Sequence, residues 1–142
     1  MAHTFRFLED IAVADMAFEA EGDTEEELFQ AATRALLESL ANPMTVQESW
    51  SRTIEQSHED LSQLLFDWLS EIIYWKDAAG VVFHDAAVTI AREGPVWRLS
   101  ARLTGAPVDR LTQELRNDVK GITKHLYEVK QEGTVWKARV VL

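Results

Sequence analysis

The sequence has no cysteine. That excludes disulfides, thiol nucleophiles and every zinc site built on thiolates. Glycine and proline are sparse, six and three among 142 residues, and no Gly/Pro/Ser-rich linker divides the chain. The prolines, Pro43, Pro95 and Pro107, fall in expected turns. Neither of the glycine loops that cradle phosphates, G-x-G-x-x-G and the P-loop, is present, which argues against the commonest nucleotide-binding designs. G-x-S-x-G and H-E-x-x-H are also missing. No apolar run approaches the ~18 residues of a membrane-spanning helix. The opening MAHTFRFLED lacks the charged-then-apolar pattern of a secretion signal, so a cytoplasmic chain is expected. Basic residues are scarce, 14 against 24 acidic, for a net charge of −10. Autonomous binding to a nucleic-acid backbone, which needs clustered Lys and Arg, is disfavoured.

What is present suits a single domain over residues 1–142 with a real apolar core: 46% of residues are hydrophobic and 27% charged. The charge is uneven. Residues 1–71 hold 16 acids and 3 bases, whereas residues 72–142 hold 8 acids and 11 bases. Such an acidic half is either a solvated face or a surface steered toward a basic partner or a cation.

The hydrophobic pattern predicts strands over 3–8 and 15–21, the latter with Met16, Phe18 and Ala20 on one face, joined by a loop over 9–14. Thr24 and Glu27 form a capping box before a helix whose stripe is Phe29, Ala32, Leu36 and Leu40. A strand over 46–56 follows. Ser57 is the expected cap of a second helix, placing His58 in its first turn. That helix has the stripe Leu61, Leu64, Leu65, Trp68, Leu69, Ile72 and Ile73, and Gly80 stops it. A hairpin turns at Glu93-Gly94. Residues 109–118 read as a short helix or an irregular segment, and a last hairpin spans 123–131 and 134–142. The order ββαβαββ(α)ββ predicts an α+β fold, two main helices packed on a mixed, mainly antiparallel sheet.

Three features carry chemistry. Glu9, Asp10 and Asp15 flank the first loop, and carboxylates near a turn can hold a hard cation; the alternative is turn and strand-end residues. Asp15, directly before an apolar strand, would need a cation or hydrogen-bond donors if half-buried. The segment Val119-Lys120-Gly121-Ile122-Thr123-Lys124-His125 packs bases and a hydroxyl into seven residues entering a strand. It suits contact with phosphate or carboxylate, or a strand edge guarded by lysines. The histidines, His3, His58, His84 and His125, share no metal-ligand spacing, and Trp68, Trp97 and Trp136 fall on apolar faces as core.

These residues resemble the archease family along essentially the whole chain. The resemblance rests on Phe7-Leu8, Ala14-Asp15 and Gly22, then Glu27-Leu28-Phe29 with Ala31-Ala32. Leu64-Leu65, Trp68-Leu69 and Glu71 continue it. Its most specific piece is Val119-Lys120, Ile122-Thr123 and His125, followed by the closing strand Trp136 to Leu142. The resemblance implies a protein that is not an enzyme. It implies a cofactor of an RtcB-type RNA ligase in tRNA splicing that promotes guanylylation of the ligase, sustains multiple turnover and widens its use of nucleoside triphosphates. It also implies a divalent metal, calcium, with Asp15 as ligand, and Lys120, Thr123 and His125 as a partner or activation surface. Two positions depart from the family. Ala12-Val13 stand where His-Thr is usual, and the family's C-terminal Asp has no counterpart up to Leu142, which implies a weaker metal site. Two other classes fit the residues: a general chaperone or interaction module working through an acidic helix, and a metal-dependent hydrolase using Asp15 with His125.

Overall fold

The computed structural model describes residues 3–8 and 16–142. Its elements run β1 (His3–Phe7), β2 (Ala17–Gly22), α1 (Glu25–Leu40), a short 3-10 turn (Pro43–Thr45), β3 (Trp50–His58) and α2 (Leu61–Ala79). They continue as β4 (Val81–Glu93), β5 (Val96–Pro107), β6 (Thr123–Glu132) and β7 (Val135–Val141). The strands form two sheets, β1-β2-β7-β6 and β3-β5-β4. All the pairings are antiparallel. The α+β class therefore stands, with the strands divided between two sheets rather than gathered in one.

The reason for two sheets lies in α1. Besides its stripe, it carries Leu28, Ala31, Ala35 and Leu37 on other faces, and all are buried. A helix apolar nearly all round must be covered on several sides. Accordingly α1 packs on β1, β2 and β7 of one sheet and on β4 of the other. Among its residues only Arg34 is exposed. The helix starts as predicted: Thr24 Oγ1 accepts from the Glu27 amide at 3.1 Å. Its acidic first turn does not stand free. Glu26 Oε1 accepts from the Ile90 amide at 2.9 Å, and Gln30 Nε2 donates to the Val88 carbonyl at 3.2 Å. Two helix side chains thus close the outer edge of β4.

Helix α2 touches β3, β4 and β5 and reaches β6. Its predicted stripe is buried at every position. Trp68 Nε1 donates to Thr33 Oγ1 at 2.9 Å, and Thr33 Oγ1 donates in turn to the Phe29 carbonyl at 2.6 Å, so a buried relay ties the helices together. Gly80 ends α2 in the left-handed conformation, as expected. The cap at its start is Asp60, accepting from the Ser62 amide at 2.9 Å, and not Ser57. β3 runs on through Ser57 to His58, which is strand and not helix.

Residues 109–118 do not form a helix among the described elements. One turn closes, Gln113 N donating to Asp109 O at 3.1 Å, and then the backbone bonds elsewhere: Asn42 N donates to Glu114 O at 2.8 Å, and Arg116 N and Asn117 N donate to Leu40 O and Ser39 O, both at 3.0 Å. Amides committed to the end of α1 are not available for i→i−4 bonds.

Candidate functional site

The segment 117–123 leads from this anchored loop into β6, and both its ends are fixed. Asn117 Nδ2 donates to Ser39 O at 2.9 Å, and Thr123 Oγ1 donates to Val141 O at 3.1 Å. Between them Val119 is buried in the core. Asp118 is held by Lys76, whose side chain is only 11% exposed and whose ammonium lies 3.0 Å from both Asp118 and Asp77. Burial works to lower the Lys76 pKa, but hydrogen bonds to Asp118 and Asp77 outweigh it and hold the ammonium above the usual lysine range. The same hydrogen bond holds Asp118 below the usual carboxylate range.

This segment walls an open cleft of about 510 Å³ with Met16 and Leu142. Leu142 N donates to Met16 O at 2.7 Å, so the strand after the first loop and the residue after β7 meet there. Lys120 and Thr123 both line the cleft. Lys120 is exposed, with no ion pair among the described residues.

His125 does not join them. The β6–β7 register shifts between Thr123 and Glu128, and Leu126 inside that irregularity has φ 56°. A leucine in the left-handed region is strained by ~1–2 kcal/mol. The bulge breaks the strict alternation expected of this strand. His125 is exposed while Tyr127 is half-buried and donates to Ser62 O at 2.6 Å. Burial pushes the Tyr127 phenol up. Lys124 bends back to α2, donating to Gln63 Oε1 at 2.9 Å and lying 4.0 Å over the Phe66 ring.

Glu9, Asp10 and Asp15 lie outside the described residues. Among the described residues no three His, Asp or Glu side chains gather as a cation would require. The cleft's own carboxylate, Asp118, is already engaged by Lys76. These walls by themselves do not fit a hard cation, which takes about six to eight oxygens.

Lys76 and Asp118 were not read from the sequence as site residues. Lys76 sits in the last turn of α2, where a lysine ordinarily answers the helix dipole. Its partner is 42 positions away. The pair also walls a second, wider cleft of about 790 Å³, which Val82 and Val108 line together with Leu115 and its neighbours in the 109–118 loop.

The sequence model of the Archease protein family matches residues 5–142. The chain is 30% identical over 130 residues to protein archease of Methanosarcina barkeri, covering 91% of this chain and 89% of that one. To protein archease of Pyrococcus abyssi it is 32% identical over 130 residues, covering 90% and 91%. The solution structure of Methanobacterium thermoautotrophicum protein 1598 matches with a TM-score of 0.81 at 30% identity, over 97% of this chain and 96% of that one. The crystal structure of an archease from Thermotoga maritima, described as a possible chaperone, shares the fold with a TM-score of 0.61 at 24% identity, over 92% and 91%.

Proposed function

The chain belongs to the archease family, and from that premise we propose that it acts as a non-enzymatic activator of an RtcB-type RNA ligase in tRNA splicing. On this reading it works in the cytoplasm, promotes guanylylation of the ligase, sustains turnover and widens the nucleoside triphosphates the ligase accepts. The observation that carries the reading is the cleft at Lys120. An unpaired, exposed ammonium stands on a segment pinned by Lys76–Asp118 and by Thr123, beside the strand that Asp15 precedes. An exposed ammonium suits a phosphate or carboxylate on a partner, and the pinned backbone beneath it fixes where that charge is presented. His125, displaced by the bulge, would meet the partner outside the cleft.

The metal is a separate proposal. Calcium, by the family's implication, would depend on Asp15, since the described walls supply no carboxylate side chain beyond Asp118, which Lys76 engages. No step is derived through it. The second reading is a chaperone or interaction module acting through an acidic surface. It is favoured by the 16 acids of residues 1–71 and needs neither Asp15 nor Lys120. The hydrolase reading pairs Asp15, which lies outside the described residues, with His125, which is exposed and does not line the cleft.

The test is label transfer from GTP to the ligase, with and without this protein and with its Lys120→Ala and Asp15→Ala variants. We expect faster guanylylation with the native chain and about a tenfold or greater loss of stimulation in Lys120→Ala. Stimulation that survives both substitutions removes the cleft from the mechanism. No stimulation by the native chain favours the interaction module. Calcium titration followed by thermal unfolding, in the native chain and Asp15→Ala, decides the metal independently of the ligase.

A further inference from the structure

Four strands lie at the edges of the two sheets: β1, β6, β3 and β4. Exposed edges invite pairing, and folds blunt them with short strands, lysines or a covering helix. Three of the four are blunted in this way. β1 has five residues. β6 carries Lys124 and Lys130. β4 is closed by Glu26 and Gln30 of α1. β3 is the least guarded: its nine residues, WSRTIEQSH, include no lysine, proline or glycine, and its one arginine, Arg52, is folded onto the Trp75 ring. Among the described residues no side chain bonds to its backbone.

Beside the carboxyl end of β3 lies a groove of about 580 Å³, between Gln56 and Ser57 on one side and Phe66, Asp67, Glu71 and Tyr74 of α2 on the other. No residue of β5 or β4 lines it, which places it on the open side of the strand. Its two carboxylates are met by neutral donors only. Gln63 Nε2 reaches Asp67 Oδ1 at 2.8 Å, and Trp75 Nε1 reaches Glu71 Oε2 at 2.7 Å. The neighbouring cations are occupied with aromatic rings, Arg52 over Trp75 at 3.8 Å and Lys124 over Phe66 at 4.0 Å. Gln56 on the groove wall holds only two bonds at the 3.5 Å limit, to Asp67 O and Glu71 Oε1. Its Oε1 is a buried acceptor with no partner among the described residues.

We propose that this groove docks an extended segment of a partner protein bearing Lys or Arg at alternate positions, which pairs with β3 as an added strand. The spacing supports the pattern. Asp67 and Glu71 are four residues apart on a helix, about 6 Å along its axis. Side chains two apart on a strand are about 6.8 Å apart on one face. Alternate cationic side chains of the added strand therefore face successive carboxylates of α2. An ammonium beside Glu71 also brings the donor that Gln56 lacks, once that amide turns. Main-chain pairing supplies affinity, and the carboxylates select the segment by charge. The inference is independent of the ligase-activator reading, since peptide binding is measured without ligase.

The probe is a fluorescent eight-residue peptide of alternating lysine and valine, added to the full chain and read by anisotropy and by backbone amide shifts. We expect shifts confined to residues 50–58 and 66–74, and at least about a tenfold weaker Kd for the Asp67→Asn, Glu71→Gln double variant. A peptide with alternate backbone nitrogens methylated keeps its charge but loses strand pairing, and we expect a similar loss from it without altering the protein. Equal binding by the methylated peptide would reduce the effect to general attraction by an acidic protein and overturn the proposal. Shifts centred on residues 117–123 would overturn it, as would self-association through β3 in sedimentation. A failed guanylylation assay with intact peptide binding leaves the groove standing and removes only the activator reading.

Discussion

Trp68 is fully buried and has one polar atom, its indole N–H, which must find an acceptor. Thr33 of α1 supplies it, and the same hydroxyl spends its own proton on Phe29 O. Replacing Thr33 by valine conserves shape but leaves the indole N–H unpaired in the core. We expect a loss of about 1–3 kcal/mol in urea unfolding, with serine at the same position retaining most of the stability. The burial of Trp68 is legible in the sequence, because it lies on a clean 3.6-residue stripe. Its partner is not. Thr33 shares the face of Phe29 and Leu36, but nothing local says that a hydroxyl there meets an indole 35 positions away. Lys76 and Asp118 are hidden for the same reason, each unremarkable in its own stretch of chain. Lys120 and Thr123, by contrast, stand in one short motif and do share a cleft.

At the scale of elements, β5 carries the clearest pattern in the chain. Leu99, Ala101 and Leu103 are buried, while Arg98, Ser100 and Arg102 face outward. Period two survives because β5 is paired on both sides. It fails where strands bulge. The β4–β5 register shifts between Phe83 and Asp85, and there Gly105 lies so close to β4 that a Cβ would sit 2.0 Å from Val82 O. Gly105→Ala must push the two backbones apart. We expect a loss at the top of the overpacking range, about 3 kcal/mol or more, seen as a shifted urea midpoint. The bulge in β6 has the opposite consequence for reading, since a regular strand would have set His125 on one face with Tyr127 and Val129. An inserted irregularity leaves no mark in a hydrophobic pattern, so element types are legible here while facing is lost wherever register slips.

Across the whole molecule, ion pairs set a pH window. Asp118, Glu114 and Glu132 are held below the usual carboxylate range by hydrogen bonds from Lys76, Arg116 and Lys130. Their contribution is present above the unfolded carboxylate pKa and fades as pH falls through the lowered folded values. Lys76, Lys130, Lys137 and Tyr127 are raised, so their contribution is whole below their unfolded values and fades as pH rises through the folded ones. We expect a urea midpoint flat from about pH 5 to about pH 10, falling on both sides. Most of these pairs are exposed, so the slopes should shrink in about 1 M salt. The fold class is legible at this scale, from two long helices among hairpin-linked strands. The division into two sheets is not, because periodicity tells which face a strand buries and never which strands it joins. One placement among them bears on how the chain is made. β7, the last strand in this sequence, lies between β2 and β6 and joins the earliest hairpin to the latest. On a ribosome, β1, β2 and α1 emerge long before β7 exists, with the apolar surface of Phe18 and Ala20 waiting for it. The four-stranded sheet can close only once β7 has been made, so the first hairpin and α1 precede in synthesis the strand that completes their sheet, a long-range pairing of the kind that slows folding.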